Sequence, residues 1–433
     1  MTQATNPIVA TDKGPRLVPL VATCIGAPLA VVGLWALAAV FHSAVLAILA
    51  GAASIALTGA VAWYIRKALR WNLRLWARQY LCIPRPRLDP SRPVDVCFLF
   101  VDHFEPDHGR ASPEWQMERV RAWEESYRDA IGGHVDSDGW CPQHTWFFPI
   151  SQTTADVRPI LSQWPAYGWG EMEYHLHHDD QPQISDDDLR RRIMTDIGLL
   201  QKCGAVTSGR YGFVHGMSAL AGGDPLYCRK TNEIALLLET GCYADFTFPD
   251  MESPGQPGQV NSIFYARTNG HPKPHGCGEE CRVGARHDGL LIVQGPMCFG
   301  LYPRMLDDAQ LEPDYPPHPR RIRRWLDAHV HVRGCPNWVF IAVHSHTAIE
   351  PGRAAVFGGQ MQRLWAALES RFKQPNTRLH YVTAREAYNI IKAAEAGHDG
   401  NPAEFRDFEI PPPANRKNSR GDAAPPPGQG ASA

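Results

Sequence analysis

Residues 17–65 of this 433-residue chain contain no Asp, Glu, Lys or Arg. At 1.5 Å per helical residue such a stretch is roughly twice what one bilayer crossing needs, and it far exceeds the apolar core of a secretory signal. It divides at His42-Ser43, which predicts two transmembrane helices at about 19–41 and 44–65. Charge of one sign is also lacking: the formal net charge is −2 with signs interspersed, which leaves no nucleic-acid footprint. No Gly-x-Ser-x-Gly elbow, no glycine-rich loop ending in Gly-Lys-Ser/Thr and no dinucleotide fingerprint occurs. Nucleophilic serine chemistry and nucleotide hydrolysis lose ground accordingly. The cysteines number 11, so they cannot all pair, and several sit in apolar runs as reduced core residues do. A reducing compartment is favoured.

What is present begins with the flanks of the uncharged stretch. Lys13 and Arg16 precede it, while Arg66, Lys67, Arg70, Arg74 and Arg78 come after it. By the positive-inside rule both termini are then cytoplasmic, and the large domain works on the cytoplasmic face of a bacterial-type inner membrane. Residues 66–82, with Trp71, Leu73, Leu75, Trp76, Tyr80 and Leu81 among the arginines, read as an interfacial amphipathic helix, and Pro84, Pro86, Pro90 and Pro93 as a linker. The expected organisation is an N-terminal tail (1–16), two transmembrane helices (17–65), a juxtamembrane basic helix and linker (66–93), a catalytic domain (94–397) and a Pro/Gly-rich disordered tail (398–433).

Within 94–397, apolar runs of strand length fall at 94–101, 144–148, 171–177, 210–214, 242–248, 289–294, 337–343 and 378–382. Helical patterns separate them. Ser112-Pro113 opens one of these to about Ala130, and Ser185 with Asp188 forms a capping-box-like entry to another ending near Lys202. Further helices are expected at 232–239, 319–330, 358–372 and 384–396. The alternation predicts an α/β fold with a mainly parallel sheet, a distorted (β/α)7–8 barrel, with the doubly wound sheet as alternative. Residues 249–288, rich in proline and glycine, read as a long loop.

Ionisable residues collect at the ends of these runs. Asp102 follows the first, His175 and His177 close the third, His215 follows the fourth, Asp245 sits in the fifth, and His344 with His346 follows the seventh. In a parallel barrel all these ends meet at one rim, where active sites of such folds are built. The pair His175-Leu176-His177 places both rings on one face of a strand, and with the Asp102 carboxylate it makes a three-ligand site for a divalent metal of the zinc type, leaving a position for water. His344 or His346 supplies an acid, and Asp102, Glu105 or Glu173 a base. His103, His215 and Asp245 remain to bind substrate. A competing zinc cluster is His271, His275, Cys277 and Cys281, though not at a usual finger spacing. The basic run 320–324 has its ordinary reading as the wet face of a helix, and phosphate or lipid-headgroup binding as the functional one.

Asp102 at the end of the first strand, the Glu171-to-His177 segment, and a late histidine-bearing strand followed by Tyr381-Val382-Thr383-Ala384-Arg385-Glu386 together resemble the polysaccharide deacetylase (NodB-homology) superfamily over about residues 94–392. The resemblance implies a distorted α/β barrel and metal-dependent removal of an acetyl group from a glycan or lipid-linked sugar. It implies Asp102, His175 and His177 as metal ligands, His344 or His346 as general acid, and Arg210 as the arginine orienting the catalytic carboxylate. Two features depart from the family pattern: Asp102 is followed by His103 rather than a second aspartate, and the two histidines are two apart rather than four. The alternatives are a catalytically silent barrel serving a membrane assembly, or a glycoside hydrolase using Glu173 and Asp245.

Overall fold

The computed structural model describes residues 17–84, 86–206, 209–300 and 305–416, with side chains from residue 28 onward. The chain divides into two units, Met1–Cys82 and Ile83–Ala433. The expected tail at 1–16, with Lys13 and Arg16, and residues 417–433 of the tail expected at 398–433 lie outside the described residues.

The first unit holds helices α1 (Leu17–Val40), α2 (Ala44–Arg70) and α3 (Leu73–Cys82). Ser43 caps α2 by accepting from the Leu46 amide. The first two helices pack where Trp35 Nε1 donates to Ser54 Oγ at 3.1 Å, while Leu29, Val32, Ile48 and Ile55 stay largely exposed, as a lipid-facing surface requires. Only α2, among the described residues, is long and apolar enough to cross a membrane. The apolar segment described in α1, Pro28–Val40, is shorter than a crossing needs, so among the described residues one span is found where two were expected. The continuous basic helix over 66–82 is also corrected: α2 stops at Arg70, Asn72 turns the chain with φ 47°, and α3 restarts beyond it. Asparagine tolerates that left-handed conformation better than most residues.

In the second unit the strands are β1 (Val94–His103), β2 (His144–Phe148), β3 (Gly170–Leu176), β4 (Tyr211–His215), β5 (Cys242–Asp245), β6 (Ile263–Ala266), β7 (Glu279–Glu280), β8 (Leu290–Val293), β9 (Cys298–Phe299), β10 (Leu306–Asp307), β11 (Trp338–Ser345) and β12 (Thr377–Val382). The large sheet runs β11-β1-β2-β3-β4-β5-β8-β6-β7, with β12 also on β1. Pairings from β11 round to β8 are parallel, as is β12 on β1, and β6 alone in this sheet runs against the rest, antiparallel to both β8 and β7. All eight expected strands are present, and the sheet is mostly parallel and barrel-like. The loop expected at 249–288 differs: it carries β6 and β7, which extend the sheet beyond β8.

Helices α4 (Pro113–Ile131), α5 (Arg158–Leu161), α6 (Asp186–Lys202), α7 (Glu233–Glu239), α8 (Pro319–Ala328), α9 (Glu350–Phe357), α10 (Gln360–Arg371) and α11 (Ala384–Glu395) connect the strands. Ser112 and Ser185 cap α4 and α6, and Thr383 with Glu386 forms a full capping box on α11. In α8, Arg321 turns inward to pair with Asp307, whereas Arg320 and Arg323 are exposed.

Strand parity sorts the side chains. Leu99 and Val101 of β1, Val214 of β4, Ala244 of β5 and Phe340 and Ala342 of β11 share one interior core, joined by Ala387, Tyr388, Ile390 and Ile391 of α11. Phe98 and Phe100, of opposite parity on β1, meet Trp325 of α8 and the His144 ring instead. Residues 398–416, expected to be disordered, are instead anchored on the domain. Ile410 is buried in the interior core, and Arg406 donates to the Tyr381 carbonyl and to Glu386. Apolar and charged anchors in residues 398–416 thus outweigh a composition that reads as unstructured.

Candidate metal centre

Parity also decides which rim residues can meet. His103 and Glu105 continue the interior-facing series of β1, His175 and His177 that of β3, and His344 and His346 that of β11. Glu105 Oε1 lies 2.8 Å from His175 Nε2 and 2.7 Å from His177 Nε2, and the two Nε2 atoms are 3.1 Å apart. His175 Nδ1 donates to the Val214 carbonyl at 2.9 Å, and His177 Nδ1 faces Asp179 at 3.1 Å. Those outer partners leave both Nε2 lone pairs pointing at one carboxylate oxygen, the orientation used by metal-binding imidazoles. Three electron-rich atoms so close need a cation among them, either a proton or a metal. Gly216 makes the packing possible, because a Cβ there would overlap the His177 ring.

The charges are set by these contacts. Burial alone would raise the Glu105 carboxyl, but hydrogen bonds from His108, His175 and His177 hold it well below the usual range. Burial would lower His177, yet its bonds to Asp179 and Glu105 lift it to about 10. His175 is depressed, mainly by burial. A proton therefore occupies the cluster on His177 when no metal does.

Beside this group stand His103, His344 and His346. The His103 ring lies 5.2 Å from that of His175 and 4.8 Å from that of His346, and its buried Nε2 has no hydrogen-bond partner. Burial, with His346 and His175 nearby, pushes its proton affinity well down. His344 falls to about 3, through burial and then the charges of His346 and Arg321. His346 is the opposite case: burial would lower it, but Glu312 Oε1, 2.8 Å from Nδ1, and the Glu105 charge raise it to about 9. Of these three, His346 is charged at neutral pH while His103 and His344 are neutral.

The remaining expected residues lie elsewhere. Asp102 has the wrong parity for the rim. Its carboxylate is buried, 2.9 Å from His144 Nε2, and accepts from the amide and hydroxyl of Thr347. The carboxylate gathered with His175 and His177 is Glu105, in the place expected for Asp102. Arg210 precedes β4, at the end of that strand away from His215, and donates to the Tyr388 hydroxyl. A buried arginine does hold a carboxylate of β3: Arg385 pairs with Glu171 near the start of that strand. Asp245 faces out of the interior, fully buried, and accepts from the Thr247 hydroxyl at 2.6 Å.

His215 also faces outward, into a second buried group with His178, Cys228 and Glu233. Sequence reasoning missed this one. Its signal was His178, directly after His177 and of the parity that meets an outward β4 residue. The four residues of the competing loop cluster do not converge among the described residues: His275 Nε2 faces the Gly255 carbonyl, Cys277 is exposed and Cys281 contacts Glu395.

Two groups of donors, the part-buried one at the rim and the fully buried one behind it, are thus geometrically suited to divalent metal. No family model matches the chain, and no curated protein matches it. A 4-alpha-glucanotransferase from Thermococcus litoralis is similar in structure at a TM-score of 0.37 and 12% identity, over 69% of this chain and 40% of that one. The chain spans less than half of that protein, and a likeness so distant carries no argument about the site. The polysaccharide deacetylase resemblance rests on the motif residues alone.

Proposed function

We propose that the chain is a membrane-associated, metal-dependent hydrolase of a carbohydrate substrate, with Glu105, His175 and His177 as ligands for a zinc-type ion. The observation that carries this is the convergence of two imidazole Nε2 atoms on one Glu105 oxygen at the rim. Their neutral-nitrogen and carboxylate donor set fits a three-ligand catalytic site. A metal held there by Glu105, His175 and His177 would supply Lewis acidity, polarising a substrate carbonyl and making water more acidic near neutral pH.

The chain's own residues supply the rest. His346, kept charged by Glu312, donates the proton to the departing group. His103 Nε2, unpartnered and neutral, orients the substrate by a hydrogen bond. Removal of an acyl group from a glycan or lipid-linked sugar is the reaction we assign, which the motif resemblance supports. The basic residues in the last turn of α2 support a cytoplasmic placement of the large domain, where lipid-linked sugars are assembled. Reporter fusions after residue 90 test that placement, and an external signal contradicts it.

A second reading is a barrel that binds carbohydrate without turnover or cleaves a glycosidic bond. The engagement of Asp102 by Thr347 and His144 favours it, since one of the three expected bases is not available. Glu173, bonded to Tyr243 and the Gly212 amide, and Asp245 are both buried, so the glycosidic role would fall to Glu105 and Glu312. Incubating the full chain with acetylated oligosaccharides separates the readings. Acetate release lost in His175→Ala supports deacylation, new reducing ends support glycosidic cleavage, and binding without either product supports the silent barrel.

A further inference from the structure

We infer that His178, His215, Cys228 and Glu233 form a second, closed metal site of structural type, on the outer side of the same strand ends. His178 Nε2 lies 3.0 Å from Glu233 Oε1, His215 Nε2 lies 3.3 Å from that oxygen and 3.2 Å from His178 Nε2, and Cys228 Sγ lies 3.6 Å from Glu233 Oε2. The edges of a tetrahedron around zinc with nitrogen, oxygen and sulfur ligands are about 3.3 to 3.6 Å, close to this spacing.

Two further observations favour a metal over a plain hydrogen-bond network. His215 Nδ1 donates to the Gly216 carbonyl at 2.6 Å, so its Nε2 offers a lone pair to the cluster. Two backbone amides, of Gly222 and Lys230, point at the Cys228 sulfur from 3.3 and 3.5 Å, as suits a thiolate. All four residues are at most 1% exposed. There is no open position for substrate, so the site holds structure rather than reacts.

What it holds is the segment between β4 and α7. Met217, Ser218 and Ala221 there have φ of 56°, 50° and 47°, conformations that such residues keep only when the surroundings fix them. The Ala221 amide donates to Glu233 Oε2, and Gly216 of the same segment backs the His177 ring. The second metal therefore clamps the wall against which a rim histidine rests.

Cobalt(II) loaded into the full detergent-solubilised chain tests this directly. A thiolate ligand gives a near-ultraviolet charge-transfer band; the wild type should show it with about two metal equivalents bound, and Cys228→Ala should lose it with about one equivalent. Glu105→Gln should keep the band while also dropping to about one equivalent. If Cys228→Ala does not fold, Cys228→His, which retains four ligands, should fold with two equivalents and no band. A folded wild type without the band overturns the second site and leaves the rim site untouched. Loss of the band in Glu105→Gln overturns the separation of the two sites. Rim failure reads differently: Glu105→Gln then binds as much metal as wild type.

Discussion

Asp245 was a substrate-binding candidate by position, and the structure makes it a buried group whose neutral form is favoured, so Asp245→Asn should be read through stability. Burial raises its carboxyl to about 7 from an ordinary 3.8, more than its bonds from Thr247 lower it. Because the folded value is raised, the stability this group supplies is complete below its unfolded value near 3.8 and is lost as pH climbs through about 7. At 1.36 kcal/mol per pH unit the loss is about 1.5 kcal/mol by pH 5 and about 4 kcal/mol by pH 8. The amide does not titrate. Its effect on the Thr247 bonds is a pH-independent offset of about 1 kcal/mol. Denaturant unfolding of both proteins in detergent at pH 5 and pH 8 should therefore show the variant gaining about 2.5 kcal/mol on wild type between the two. Parallel profiles would refute a buried neutral carboxyl, and loss of substrate binding with unchanged stability would restore Asp245 to the site.

The same contacts set the outcomes of other substitutions. Glu312→Gln removes the main support for the His346 proton, so the basic limb of the pH–rate profile should move down from about 9. The rate should fall roughly tenfold at pH 8 and little at pH 6, and an unmoved limb would show that His346 is not the acid. Asp102→Asn disturbs a fully buried acceptor of three bonds and should cost about 2 to 4 kcal/mol in unfolding while metal content stays unchanged. A folded, metal-depleted variant would make Asp102 a ligand after all. Arg385→Met removes the bidentate partner of the buried Glu171 carboxylate, which keeps Arg416 and the Thr383 hydroxyl, and should destabilise by about 2 to 3 kcal/mol, visible as a lowered melting temperature.

The parallel strands were legible because each is a continuous apolar run bounded by breakers, and buried parallel strands need no alternation. Short elements such as β7, β9 and β10, at two residues each, carry no such pattern, and β6 is hidden among prolines and glycines. His175 and His177 were legible as a pair from period two alone. The carboxylate was misplaced by one parity step: Asp102 ends an apolar run, but Phe98 and Phe100 put its face toward the helices, which leaves Glu105, just past the strand, to reach the rim. Reading that face requires knowing which side of β1 is interior, and a run apolar on both sides does not disclose it. The same ambiguity hid the outward pairing of His178 with His215. Cys228 and Glu233 come to that pair through a segment whose left-handed residues have no sequence signature. The buried end of the tail was missed because Arg406 and Ile410 are ordinary in composition and informative only through their partners.

The central claim, that Glu105 rather than Asp102 completes the rim site, is tested most directly by metal analysis of wild type, Glu105→Gln and Asp102→Asn purified side by side. The account predicts that Glu105→Gln loses about one equivalent while Asp102→Asn, folded, retains the wild-type content. Full metal content in Glu105→Gln, or a loss confined to Asp102→Asn, would contradict it.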